Sequence, residues 1–328
     1  MKVGTVGTGF IVDRMISAMK DSGIEVIACY SRSLEKAKEF CEKHQMKRYY
    51  SNLEELLKDE EVDTIYVASP NSLHYSQSKM ALQAKKHVIN EKPFCPSLKE
   101  SEDLFKTAKE NGVYIFEDIT NQFLPNYQIL KENLYRVGDI KLVQCNYSQY
   151  SSRYDKYKNH EQTNAFDPHF NGGALMDIGV YCLHFVTGLF GKPEKTMYYA
   201  NKGYNGIDTS GILILQYPEF VATCAGAKDS SSDIFAYIQG DKGCLRVKGV
   251  SIGILPNVDF IPPKGEPLLN KNNSSSLNLG IEQEMHMIYE CKEFVRIINE
   301  KDESTYNKLC DHTNLVVQIL EQSIQQTL

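Results

Sequence analysis

The chain has no tryptophan, no CxxC cysteine pair, no run of Lys and Arg, and no long uninterrupted apolar stretch. Each absence excludes something. The longest apolar runs are strand-sized pieces such as Gly211 to Tyr217, far short of the roughly 18 residues that a membrane-spanning helix needs, so no membrane partner is expected. At the N-terminus, Met1-Lys2-Val3 runs straight into Gly4, Gly7 and Gly9, which breaks up any signal-peptide core and leaves no small-residue cleavage site. The nine cysteines are an odd count and lie at least a dozen positions apart, which argues for buried, reduced thiols and a cytoplasmic address. His160, His169, His184, His286 and His312 show neither HExxH nor Cys/His spacing, so no metal is expected. A net charge of -6 without a basic cluster gives nucleic acid nothing to hold.

What remains is an ordinary globular composition, 42% hydrophobic and 24% charged, over 328 residues, which is long enough for two domains. Up to about residue 120, short β-branched runs alternate with amphipathic stretches, the pattern of βαβ units and a parallel sheet. Strands are expected at Val3 to Val6, Glu25 to Tyr30, Thr64 to Ala68, His87 to Asn90 and Tyr114 to Phe116. Helices fill Ile11 to Lys20, Leu34 to His44, Leu53 to Leu57, Tyr75 to Lys85 and Leu98 to Asn111, several behind Ser or Asn caps, with Gly112 as a stop.

Beyond residue 120 the rhythm changes, and the expected division is 1–120 and 121–328. After a helix at Asn126 to Tyr135, mostly antiparallel strands are expected at Ile140 to Tyr150, Lys195 to Ala200, Gly211 to Tyr217, Phe220 to Ala225, Ile234 to Gln239 and Cys244 to Val247. Helices are expected at Ala174 to Gly188, Glu282 to Asn299 and Leu309 to Gln325, and an exposed polar loop at Asn270 to Asn278. The fold class is therefore α/β, a parallel-sheet first domain followed by an α+β domain.

Three local features carry chemistry. In Val3-Gly4-Thr5-Val6-Gly7-Thr8-Gly9-Phe10-Ile11 a strand enters a Gly-x-Gly turn and a helix, where a pyrophosphate can sit on the positive helix terminus. Position 12 is Val12, so the third glycine of the dinucleotide fingerprint is missing, and a plain glycine-rich turn is the alternative. At the end of the second strand, where a carboxylate would hold the ribose of NAD, stand Ser31 and Arg32. Arg32 can pair with a 2′-phosphate, which favours NADP while leaving NAD possible; a solvated Arg before a helix is the alternative. In Glu91-Lys92-Pro93 the proline fixes Lys92 at the carboxyl end of a strand, where lysine can exchange a hydroxyl proton; a surface lysine is the alternative.

Together with Gly172-Gly173-Ala174-Leu175-Met176-Asp177-Ile178-Gly179-Val180-Tyr181, these motifs make the chain resemble the Gfo/Idh/MocA family of oxidoreductases. The resemblance spans both halves and implies a Rossmann-type domain, then a large, mostly antiparallel open sheet that serves substrate binding and oligomerisation, as a dimer or tetramer. It implies Lys92 as the catalytic lysine and Asp177 as the aspartate of the Asp-x-Gly motif. Tyr181 stands where many members have His, as in the dimeric dihydrodiol dehydrogenase and NADP-linked sugar dehydrogenase branch. The resemblance also places Ser69, Pro70, Asn71 and His74 beside the nicotinamide half of the cofactor, and Glu91 near a ribose hydroxyl. For His74 the alternative is packing at a helix start, and for Glu91 a bond to a backbone donor.

On a helix, Asp177 and Tyr181 share a face, and a neighbouring ammonium such as Lys92 would lower the tyrosine pKa. Tyr181 in the core and Asp177 as an internal cap or ion-pair residue are the alternatives. Tyr147, Tyr150, Tyr154 and Tyr157 around Arg153 suit a polar sugar pocket, an oligomer interface or plain strand alternation. The expected activity is NADP-linked hydride transfer to or from a sugar, cyclic polyol or dihydrodiol, a carbohydrate-like small molecule. A non-catalytic dinucleotide sensor of the same fold is the rival.

Overall fold

Short runs of Val, Ile and Ala buried on both faces favour a parallel sheet, because helices then cover both sides. The computed structural model of the protein describes residues 1–249, 251–263 and 276–326. Its first strands are β1 (Lys2–Val6), β2 (Glu25–Tyr30), β3 (Arg48–Tyr50), β4 (Thr64–Val67), β5 (His87–Glu91) and β6 (Ile115–Asp118). They lie in the order β3-β2-β1-β4-β5-β6, every pair parallel. Between them run α1 (Phe10–Asp21), α2 (Leu34–His44), α3 (Leu53–Leu57), α4 (His74–Gln83) and α5 (Leu98–Asn111). The side chains of Ser33, Asn52 and Ser97 cap α2, α3 and α5 by accepting backbone N–H bonds, and Gly112 ends α5 in the left-handed region.

After residue 118 come α6 (Pro125–Glu132), β7 (Ile140–Ser148) and α7 (Tyr154–Lys158). A π turn, Leu175–Gly179, then leads into α8 (Val180–Phe190). The strands β8 (Lys195–Lys202), β9 (Asp208–Gln216), β10 (Val221–Ala227), β11 (Ile234–Gly240), β12 (Gly243–Gly249), β13 (Asp259–Ile261) and β14 (Leu277–Asn278) follow. With β7 they form one eight-stranded sheet in the order β14-β13-β12-β11-β7-β10-β9-β8. Among the described residues, only the β7–β10 pair in it is parallel. The architecture is thus the expected α/β fold with a mixed, mostly antiparallel second sheet. Of the polar stretch expected as a loop at Asn270 to Asn278, residues 270–275 lie outside the described residues.

Pro168–Phe190 is long and apolar enough by composition to cross a membrane, but most of it is buried inside the fold, as in the core helix of a globular unit. None of the nine cysteines forms a disulfide, and all but Cys244 and Cys310 are buried.

The last helices are α9 (Met287–Glu300) and α10 (Glu303–Gln325). Residues Met287–Val317 form one compact unit with Met1–Asp118, and Ile119–His286 form the other with the chain from Gln318 onward. Within the first unit, the α9 stripe of Met287, Ile288, Cys291, Phe294 and Ile297 is buried. Cys291 Sγ lies 3.6 Å from Met15 Sδ on α1, and Phe294 stacks on Phe116 with ring centroids 4.5 Å apart.

Candidate active site

All six strands of the first sheet run the same way, so their carboxyl ends share one edge, and the order reverses between β1 and β4. Ligands of open α/β sheets bind at that edge, beside the reversal. Gly7 follows β1 there, with φ +121°; a Cβ on it would lie 2.6 Å from the Ala68 carbonyl oxygen, so only glycine lets the two strand ends approach so closely. Among the described residues, nothing lies within 4 Å of where a Cβ on Gly9 would stand, and no side chain caps α1. The first N–H groups of α1, at Phe10 and Ile11, have no partner within the helix, and both side chains are exposed. With the half-buried Thr8, this turn has the shape and polarity to hold a diphosphate.

Three more strand ends contribute. After β2, Ser31 Oγ accepts the Ser33 N–H at 3.4 Å, whereas Arg32 is exposed and has no ion-pair partner among the described residues. After β4, Ser69 Oγ is buried without a hydrogen-bond partner among the described residues, a vacancy that a ligand hydroxyl or phosphate oxygen suits. Pro70 and Asn71 follow it, and the half-buried Lys92 follows β5. Gly7, Ser31, Arg32, Ser69, Asn71 and Lys92 therefore gather along one edge, and their chemistry fits a phosphorylated dinucleotide.

His74 and Glu91 sit differently. His74 is 1% exposed, with Nδ1 3.0 Å from the Pro93 carbonyl oxygen and Nε2 2.9 Å from that of Ser69. The ring ties the loop after β4 to the loop after β5, and burial lowers its pKa. Both its nitrogens lie against protein carbonyl oxygens, and the one that carries the proton donates to its carbonyl, so His74 braces the edge. Glu91 Oε1 accepts the Tyr66 hydroxyl at 2.6 Å inside the sheet. With Asp118 on β6 and Glu290 on α9 it forms a buried group of three carboxyls. Burial, reinforced by Asp118, pushes Glu91 well above the usual carboxylate range, although the Lys92 charge opposes this. Glu91 accordingly faces the interior instead of a ribose.

In the second unit, the Gly172-Gly173 motif has a packing origin. Gly173 has φ +109°, and a Cβ there would collide with Asp208 Oδ1. Asp208, buried at the start of β9, accepts the Leu175 N–H and the Tyr198 hydroxyl, both at 2.7 Å, and so secures the start of the π turn. Asp177 lies within that turn, and wide turns of this kind recur at functional sites. Its Oδ2 is ion-paired with Lys228, while 37% of its side chain stays exposed. Tyr181 follows in the first turn of α8; the Asn121 amide donates to its carbonyl at 2.8 Å, and its ring lies 5.7 Å from that of Tyr147. Tyr150 meets Tyr154 edge-on, Tyr154 stacks on Tyr157, and Tyr157 stacks on Phe166 and Tyr204.

Lys228 and Asp208 have no place in any sequence motif. Lys228 had one available signal, the alternation Ala222, Cys224, Gly226, Lys228, which puts a lysine at an inward position. Among the described residues, no group of three or more His, Cys, Asp or Glu is arranged to hold a metal ion.

Two family models match. Residues 1–118 match the oxidoreductase family with an NAD-binding Rossmann fold, and residues 133–246 match the GFO/IDH/MocA C-terminal domain. The chain is also 34% identical over 337 residues to the NADP(+)-linked scyllo-inositol 2-dehydrogenase IolU of Bacillus subtilis (strain 168), covering 99% of this chain and 97% of that protein. The chain belongs to the GFO/IDH/MocA oxidoreductase family. Within the family it is 28% identical, over 337 residues, to trans-1,2-dihydrobenzene-1,2-diol dehydrogenase of Xenopus tropicalis, covering 98% and 95% of the two chains. Its fold matches that of the 3-ketoreductase KijD10 from Actinomadura kijaniata in complex with NADP and TDP-benzene. The TM-score is 0.84 at 19% identity, covering 99% of this chain and 97% of that one, a likeness of fold alone.

Proposed function

We propose that the protein is an NADP(H)-dependent oxidoreductase that moves a hydride to or from a carbon bearing oxygen in a sugar, cyclic polyol or dihydrodiol-like substrate. The carrying observation is the gathering of the Gly7–Gly9 turn, an unpaired Arg32, the orphaned Ser69 hydroxyl and Lys92 along one sheet edge in a GFO/IDH/MocA chain. Bound NADP supplies the hydride chemistry.

The chain supplies binding and proton handling. Gly7, Thr8, Gly9, Phe10 and Ile11 hold the diphosphate against the start of α1. Ser31 and Arg32 hold the 2′-phosphate, because a guanidinium gives it a charge-assisted pair and no carboxylate repels it. Ser69, Pro70 and Asn71 line the nicotinamide side. Lys92 and Tyr181 exchange the hydroxyl proton, and Asp177 orients the substrate by accepting a hydroxyl hydrogen bond. Met197, Tyr199, Ile212 and Val221, all exposed on β8 to β10, support assembly into a homo-oligomer through that face.

A panel of aldoses, ketoses, inositols and dihydrodiols, followed by NADPH absorbance with NAD in parallel, tests the reading. Turnover of at least one neutral polyhydroxy compound with NADP preferred is expected; turnover of none, with cofactor still bound, would favour a sensor.

A further inference from the structure

Lys228 is 2% exposed, and its main chain is fixed on both sides. Its N–H donates to the Thr209 carbonyl at 2.8 Å, and its carbonyl accepts the Ser151 N–H at 2.9 Å. From the residue just after β10, the side chain carries its ammonium to Asp177 Oδ2, with the Phe166 ring centroid 5.0 Å away. Asp208 also feels its charge, but the Asp208 carboxylate is already engaged by Leu175 and Tyr198. An ammonium withdrawn from water is tolerated only when paired, and the Asp177 carboxylate is its partner.

The two partners are unequally buried. Lys228 sits behind, with 3% of its side chain exposed, and Asp177 in front, with 37%. The arrangement is a buried cation backing an accessible carboxylate. It holds the Asp177 carboxylate from behind and leaves its accessible side to a hydrogen-bond donor.

We infer that Lys228 is a positioning residue of the substrate site: it holds the Asp177 carboxylate in one orientation, ready to accept a hydrogen bond from a substrate hydroxyl. The inference rests on the proposed function, in which Asp177 belongs to that site. Lys228 acts only through Asp177, and no covalent step passes through it.

The test uses the full chain with NADP and the best neutral substrate of the panel. Lys228→Met is expected to lower kcat/KM by about 10- to 100-fold, chiefly through KM, the size expected when a charge-assisted partner is lost. Affinity for NADPH, read by calorimetry, stays within a few-fold of wild type. Lys228→Arg restores most of the loss, because a cation returns to Asp177.

The double variant Asp177→Asn/Lys228→Met, which removes both charges together, should be no worse than Asp177→Asn alone. That comparison also decides the matter should Lys228→Met by itself fail to fold. Wild-type kcat and KM in Lys228→Met, or a double variant clearly worse than Asp177→Asn, would overturn the inference. Lys92→Met separates the two readings. If it keeps its turnover, the proposed function fails; if it is inactive while Lys228→Met behaves as wild type, only the role of Lys228 fails.

Discussion

Replacing Glu290 by Gln should stabilise the protein above neutral pH, and the size of the effect follows from the first unit's interior. Glu290 is 0% exposed on α9 and shares a pocket with Glu91 and Asp118, also buried, while Tyr66 donates to Glu91. Burial pushes Glu290 up to about 8, with the Glu91 charge adding to the rise. Asp118 is also raised well above the usual range, by burial and then by Glu290. In the unfolded chain Glu290 reverts to an ordinary carboxyl of about 4.5.

Between pH 5 and pH 8, therefore, the folded protein keeps a proton that the unfolded chain has released. Stability is fully present below the unfolded pKa and is lost as pH rises toward the folded one. At about 1.4 kcal/mol per pH unit, three units amount to roughly 4 kcal/mol, a large part of an ordinary stability of about 5–15 kcal/mol. At about 2–4 °C per kcal/mol, that is a fall in Tm of roughly 10 °C. Gln holds no titrating proton, so the variant loses this share of the slope together with the part of the Asp118 rise that Glu290 causes, while the share due to burial of Glu91 and Asp118 stays. Thermal unfolding followed by circular dichroism at pH 5, 6, 7 and 8 should show the Tm of Glu290→Gln gaining on wild type at each step. Parallel curves across the range would refute the reasoning.

Two further outcomes concern cofactor choice and assembly. Arg32→Glu should raise the KM for NADP by about 10- to 100-fold while leaving that for NAD unchanged or lower, because a 2′-phosphate would then face a carboxylate; an unchanged KM for NADP would contradict Arg32 as its partner. Ile212→Lys places a charge among Met197, Tyr199 and Val221 on the exposed sheet face and should shift sedimentation toward monomer without lowering Tm by more than a few degrees. Unchanged sedimentation would remove that face as the interface.

Much of the first sheet was legible in the sequence because its strands are continuous apolar runs and its helices carry caps at Ser33, Asn52 and Ser97. β3 was not: Arg48–Tyr50 is three residues long and half-exposed, too little to show a period. β6 reaches Asp118 through Glu117, residues that argue against a strand. Glu117 is tolerated there because its carboxylate accepts the Phe94 N–H and the Thr313 hydroxyl, the second from α10.

The stripe on α9 announces an amphipathic helix but not which core it joins, and residues 287–317 pack with the first unit although the chain pattern puts them after the second. Within the candidate site, motif residues were legible where backbone geometry demands them, as at Gly7 and Gly173. Side-chain commitments such as those of His74, Glu91 and Lys228 depend on partners distant in the chain, between 19 and 51 positions away for Pro93, Tyr66 and Asp177, and local spacing does not encode them.

The measurement closest to the central claim is turnover by Lys92→Met. With NADP and a substrate from the polyol panel, kcat should fall by about 100- to 10,000-fold, the contribution of a positioned proton-transfer group, while NADPH binds as in wild type. A variant that keeps kcat within a few-fold of wild type would contradict the account.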